Sequence, residues 1–358
     1  MTYRVAVLGS GAMGSTHAGQ WKAIPAAQVV GVLALTKEET AHIARDWDCP
    51  GFGVNDFDAM LLETQPDIVD ICVPTPVHRH YVERAAKAGK AVFVEKPLAR
   101  TLSDCDAIVE IVERTGVPFM AGHVLRYFPE YATARRLVQG GGVGNPATIR
   151  TARMSGMPHQ DKPDSWYADP AQSGGLVLDL LIHDFDWLLW TFGPVTRVYA
   201  RGLVASAEHK GIRDYALATL RFASGVVAHV TGSWAHPNGF RTTLEVAGDA
   251  GLIEHDSDRS APITASLSAS EAKSGGVTVP ESPIAVADNP YYQELAAFIR
   301  ALDTGTIPPI TVYDAREATR LALAVLSSIE TGKVVTLCAY ALEFCRSPTC
   351  TPRPTPMR

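Results

Sequence analysis

A chain of 358 residues is long for one hydrophobic core, and two domains are the better expectation. Its 46% hydrophobic and 20% charged residues, with a net charge of -6, are those of an ordinary globular protein and leave no basic footprint for nucleic acid or anionic membrane. No apolar run reaches bilayer-spanning length, the N-terminus runs from Arg4 straight into a strand pattern without a signal-peptide apolar region, and the scattered cysteines form no C-x-x-C pair, so a cytoplasmic protein with free thiols is expected.

Residues 5–8 form a short apolar strand pattern, followed at once by Gly9-Ser10-Gly11-Ala12-Met13-Gly14, a helix over 15–23 and a second strand over 29–34. Strand, G-x-G-x-x-G, helix and strand in this order are the context a dinucleotide fingerprint requires, because the glycines let backbone N–H groups approach a pyrophosphate at a helix N-terminus. Gly9, Gly11, Ala12, Met13 and Gly14 are therefore cofactor-binding candidates. The carboxylate expected after the second strand to hold the adenosine ribose is missing: the chain reads Ala34-Leu35-Thr36-Lys37, and Thr36 with Lys37 favours a 2′-phosphate, hence NADP over NAD.

The alternation continues with helices over 37–47 and 56–63, a strand over 67–73 ending in Pro74-Thr75-Pro76, and a helix over 78–88 stopped by Gly89. A buried strand, 91–94, runs into Glu95-Lys96-Pro97, and a proline holds the residue before it extended. Ligands of open parallel sheets bind at such strand ends, so Lys96 is an aimed lysine. A helix over 103–115 with Ser103 as its cap and a strand over 117–121 complete a parallel α/β unit assigned to residues 1–123.

A second unit, 124–338, opens with helix 129–139 and strand 147–154. A polar loop with His159, Asp161, Asp164, Trp166 and Tyr167 leads to a helix over 174–191. Strands over 195–205, 215–222, 226–234, 241–247 and 251–255 point to an open, mainly antiparallel sheet of the α+β kind. A loop-like 256–288, helices over 291–303 and 315–330, and an irregular tail, 339–358, follow. The helix over 174–191 is apolar on nearly every side, which marks it as buried. Asp179, His183 and Asp186 nevertheless make one polar stripe in it, read either as a self-satisfied core pair or as a base with its orienting carboxylate lining a cleft. His183-Asp184-x-Asp186 is not read as a metal site, since Asp184 lies about 100° off that stripe.

These motifs, in this order and spacing over roughly residues 3–337, resemble the glucose–fructose oxidoreductase / inositol dehydrogenase / rhizopine-catabolism family, Gfo/Idh/MocA. The matching elements are the glycine run, Pro74-Thr75-Pro76 with His80, Glu95-Lys96-Pro97, Gly122-His123 with Arg126, and Ser173-Gly174-Gly175 leading to Asp179-x-x-x-His183. The resemblance implies a Rossmann domain plus an α/β domain used for oligomer contacts, with a homodimer or homotetramer expected. It implies that Lys96 binds the substrate hydroxyl and nicotinamide ribose, with Pro97 after a cis peptide. Asp179 and His183 would position the substrate and remove its hydroxyl proton. Pro74, Thr75, Pro76, His80 and Glu95 would line the nicotinamide half of NAD(P), and Arg126, Trp166, Tyr167 and Tyr291 are substrate candidates. The implied activity is hydride transfer between nicotinamide and a secondary alcohol or ketone of a sugar, cyclitol or related polyol, with a lean toward inositol dehydrogenases. A tightly bound cofactor used for transient oxidation of a glycoside, or a non-catalytic sugar- or nucleotide-sensing regulator, are the alternatives.

Overall fold

The computed structural model describes residues 2–158, 166–206, 212–237, 239–260 and 289–338. His159, Asp161 and Asp164, nearly all of the loop-like 256–288, and the tail 339–358 lie outside the described residues.

Strands β1 (Tyr3–Leu8), β2 (Ala27–Ala34), β3 (Gly51–Gly53), β4 (Ile68–Ile71), β5 (Ala91–Glu95) and β6 (Phe119–Gly122) form one sheet in the order β3-β2-β1-β4-β5-β6, parallel throughout. The strand order reverses between β1 and β4, which opens a crevice at their carboxyl ends. The three-residue β3 was not expected from the sequence, being too short to show a period. The helix Leu102–Thr115 is capped by Thr101, whose Oγ1 accepts the Asp104 N–H at 3.1 Å, in place of the expected Ser103.

The second sheet contains β7 (Pro146–Met154), β8 (Val195–Leu203), β9 (Tyr215–Phe222), β10 (Val227–Ser233), β11 (Arg241–Gly248), β12 (Leu252–Asp256) and β13 (Val335–Thr336), in the order β12-β11-β7-β10-β9-β8-β13. All its pairings are antiparallel except β7 with β10. Ala216, Ala218, Leu220 and Phe222 alternate along β9 as its buried set, covered by the helices Ile182–Phe192 and Val312–Thr331. The opposite face carries Tyr199, Arg201, Leu217 and His229 to the surface.

The cores do not follow the chain order. The helix Pro290–Thr304 returns to the first sheet, where Leu295, Phe298 and Ile299 pack with Phe93 and Trp21, and the start of the helix Val312–Thr331 joins them through Val312 and Ala315. Each such buried apolar side chain contributes about 1.5–3 kcal/mol relative to exposure. The parallel-sheet unit is thus completed by residues far beyond 123. Among the described residues, no helix is long and apolar enough to cross a membrane.

Candidate active site

Three glycines of the first loop do three different jobs. Gly9 has φ +113°, and a Cβ there would sit 2.5 Å from the Cys72 carbonyl oxygen. A Cβ on Gly14 would collide with the Gly9 carbonyl, so this glycine permits the close seating of helix on loop. Gly11 has nothing within 4 Å of its missing side chain. It is the N-cap of the helix Ala12–Ala23 and offers no side-chain cap, which leaves the first-turn N–H groups of Ala12, Met13 and Gly14 free to meet an anion. This is a cradle that fits a dinucleotide pyrophosphate.

Lys96 stands at the end of β5, next in the sheet to β4 and its crevice, and the Lys96-Pro97 bond is cis. Its Nζ donates to the Asp179 carboxylate at 2.9 Å and to the Asp179 carbonyl at 2.8 Å, with only 13% of the side chain exposed. The lysine therefore crosses from one sheet unit to the other. Asp179 lies in Val177–Leu181, a π-helical segment that runs directly into the helix Ile182–Phe192. Such segments recur at functional sites because the widened turn loosens the regular carbonyl ladder, and here it is a carbonyl within the segment that Lys96 engages. His183 follows in the next turn, half-buried, its Nδ1 without a partner among the described residues. Burial, then the Lys96 ammonium, Arg153 and His123, hold its imidazole well below the usual histidine value of 6.5.

The expected polar stripe divides. Asp179 turns to Lys96 and to the Tyr167 hydroxyl, not to His183, so the Asp–His pair expected from the spacing is not formed. Asp186 is 1% exposed and clasps Arg126, whose Nε and Nη2 donate to it at 2.7 and 2.6 Å; the Asp314 carboxylate lies 3.3 Å from the same Nη2. Asp184 accepts from Arg153 Nε and Thr151 Oγ1, both at 2.6 Å, and so anchors the helix to β7. Arg126, expected at the substrate, has its donors taken by Asp186 and the Pro309 carbonyl and is an internal ion pair instead.

Other expected residues divide in the same way. Thr75 is buried at the crevice edge between half-buried Pro74 and exposed Pro76. His80, expected against the cofactor, sits on the outer face of its helix beside Arg84, whose Nη1 is 3.4 Å away. It is His78 that reaches inward, to the carbonyls of Pro97 at 3.0 Å and Val73 at 2.9 Å. Glu95 is turned away from the crevice: one oxygen accepts the Lys96 N–H at 3.0 Å and the other lies 3.1 Å from His17 Nε2. Thr36 is exposed and caps the next helix, accepting the Glu39 N–H at 3.1 Å, while the Lys37 side chain lies outside the described residues. Trp166 meets Tyr167 edge-on at 5.3 Å, and Tyr167 in turn lies beside Asp179. Tyr291 is half-buried, 6.1 Å from the His17 ring.

The sequence suits His78 and His80, an H-x-H pair at a helix start, to capping or cofactor contact and not to a metal; Arg153 and His17 were not singled out, although signals existed. Ile149, Thr151 and Arg153 alternate onto the inner face of β7, and a basic residue there requires a carboxylate from the covering helix. His17 shares its inward helical face with Gly14, Ala18 and Trp21.

Comparison with known proteins matches residues 3–123 to the family described as "Oxidoreductase family, NAD-binding Rossmann fold" and residues 131–254 to the "GFO/IDH/MocA C-terminal domain". The scyllo-inositol 2-dehydrogenase (NAD(+)) of Bacillus subtilis (strain 168) is 30% identical over 344 residues, covering 93% of this chain and 96% of that protein. The myo-inositol 2-dehydrogenase of Thermotoga maritima is 29% identical over 339 residues, covering 93% and 98%. Among solved structures, a putative myo-inositol dehydrogenase from Sinorhizobium meliloti 1021 superposes with a TM-score of 0.81 at 25% identity, covering 94% of this chain and all of that one.

Proposed function

We propose a function for this chain on the ground that it belongs to the Gfo/Idh/MocA family of oxidoreductases. It is an NAD(P)-dependent dehydrogenase or reductase acting on a secondary alcohol or ketone of a sugar-like polyol, with a cyclitol of the inositol type as the leading substrate. The observation that carries this is the bridge from Lys96 to Asp179, one helical turn before His183, at the mouth of the crevice beside the open glycine loop.

The bound nicotinamide would supply the hydride acceptor or donor, held by the loop Gly9–Gly14 and the turn Pro74–Pro76. Lys96, fixed by Asp179, donates a hydrogen bond to the reacting oxygen and stabilises negative charge as it develops there. His183, held neutral, is in the form that accepts the hydroxyl proton. Tyr167 and Trp166 form a wall beside Asp179 against which a polyol ring is oriented, and that fixed orientation supplies part of the barrier reduction.

Cofactor choice rests on Thr36 and Lys37. A preference for NADP finds no support among the relatives: where the Bacillus subtilis relative's name specifies a cofactor, it is NAD(+). We place the enzyme in the cytoplasm and read it as a homodimer or homotetramer, because the second sheet has one face uncovered among the described residues. The deciding experiment is a polyol and sugar panel read by nicotinamide absorbance with NAD and NADP in parallel. Net cofactor reduction with a cyclitol or sugar supports the reading. Product formation without net change in NAD(P)H would replace it with transient-oxidation chemistry.

A further inference from the structure

Beneath the glycine loop lies a second buried group of titratable residues that the reaction above does not use. His17, on the helix Ala12–Ala23, is completely buried. Its Nδ1–H donates to the Asp70 carboxylate on β4, with oxygens at 3.0 and 3.2 Å, and Trp21 Nε1 donates to the same carboxylate at 2.7 Å. Its Nε2 lies 3.1 Å from Glu95 Oε1 on β5. The other Glu95 oxygen accepts the Lys96 backbone N–H at 3.0 Å. Glu95 keeps this position because residue 122 is glycine: a Cβ there would stand 2.9 Å from Oε1.

We infer that His17 is a positioning residue for the reaction, an imidazolium clamped between the Asp70 and Glu95 carboxylates that ties the dinucleotide-binding helix to the strand end carrying Lys96. This rests on the reading of Lys96 as the residue at the reacting oxygen. A neutral imidazole donates through one nitrogen only, so it would satisfy Asp70 and leave Glu95 facing a lone pair. The cation is hydrogen-bonded to Asp70 and lies at ion-pair distance from Glu95, and two buried carboxylates require a counter-charge. The groups facing His17 are Asp70 from β4, the Cys72 thiol at 3.3 Å from just beyond β4, Glu95 from β5, and Tyr291 and Glu294 from the helix Pro290–Thr304. Burial first, then the nearby carboxylates, raises Tyr291, Cys72 and Glu294 above their ordinary values, and Asp70 and Glu95 are the carboxylates at ion-pair distance from the ring. The thiol, imidazole and Asp70 carboxylate also lie within metal-ligand reach of one another; the hydrogen bonds account for their arrangement without an ion.

The consequence is mechanical. The N-terminus of the helix that carries His17 is the cradle for the cofactor's phosphates, and Glu95 and Lys96 share one peptide. Loss of the imidazolium frees Glu95 and lets the Lys96 turn drift relative to the seated dinucleotide. A displacement near 1 Å at a reacting group lowers rate by about 100-fold.

The test uses the full chain, with NAD(H) and NADP(H) as probes. His17→Gln and Glu95→Gln should each lower kcat by about 10- to 100-fold with dinucleotide Kd and polyol KM little changed, and the double variant should be no slower than the worse single one. A His17→Gln protein that loses thermal stability but keeps wild-type kcat, or a double variant whose losses multiply, would overturn the proposal. Nitrogen-15 NMR of the wild-type imidazoles decides the protonation state whether or not the variants fold and whether or not a polyol turns over. Both His17 nitrogens should stay protonated about one pH unit above the ordinary histidine value of about 6.5, and a neutral His17 there would refute the clamp. If no polyol turns over while the His17 signals behave as stated, the functional reading has failed and the clamp has not.

Discussion

His17 is completely buried and His183 half-buried, and their surroundings drive them to opposite charge states. His17 stands between two carboxylates; burial lowers its imidazole, but the adjoining Cys72 sulfur and Asp70 carboxylate outweigh that and raise it well above 6.5. His183 faces Lys96, Arg153 and His123, so burial and its neighbours act in the same direction and hold it neutral. The difference teaches that the same side chain serves as a fixed charge in one place and as a vacant proton site in another. Burial disfavours the charged form of both rings, and the neighbours reinforce it at His183 and outweigh it at His17.

The comparison breaks most visibly at the reacting pair. Lys96→Ala and His183→Ala should each lower turnover by about a thousandfold or more, the scale of losing an electrostatic or proton-transfer group, while NADH fluorescence titration gives nearly unchanged Kd. Next in size is the anchoring of the His183 helix. Asp186→Ala leaves the Arg126 guanidinium, 4% exposed, with only the partly exposed Asp314 as counter-charge, and should cost about 3–5 kcal/mol in chemical denaturation.

A smaller effect is the pH dependence of stability, where the two histidines must act on opposite sides. Between the depressed value of folded His183 and 6.5, the unfolded chain binds more protons, so stability falls as pH drops below 6.5. The contribution of His17 is complete below 6.5 and is lost as pH rises through its raised folded value. Each slope is at most about 1.4 kcal/mol per pH unit. Denaturant titrations at a series of pH values should show His183→Gln flattening the acid side and His17→Gln the alkaline side. The smallest expected change is in Asp179→Asn, which keeps an oxygen for Lys96 but removes the charge; kcat should fall by about tenfold, more than KM rises.

The parallel unit was legible, the three-residue β3 apart, because its other elements announce themselves locally. An apolar run, a glycine turn and a cap repeat in order, and the loop Gly9–Gly14 is functional through its backbone, which glycine spacing reports directly. Lys96 was legible because Pro97 pins it at a strand end. The helix over 174–191 was legible as buried and polar, but not in its partners. The π-helical segment and the choice between Lys96, Arg126 and Arg153 for Asp179, Asp186 and Asp184 are set by which strand or turn faces each position, and a single helix template carries no such information. His80 and His78 show the same limit: an H-x-H spacing leaves open which ring faces the crevice, and packing turned His78 inward. The return of the helix Pro290–Thr304 to the first core depends on contacts across some two hundred residues of chain, which no local pattern records.

The most direct test of the central claim is the rate of hydride transfer to bound NAD or NADP from a panel of cyclitols and sugars, measured for the wild-type protein beside His183→Ala. The account predicts cofactor reduction by at least one polyol in the wild type and its near-complete loss in the variant, with dinucleotide still bound by both. A wild-type protein that reduces no cofactor with any polyol, or a variant as fast as the wild type, would contradict it.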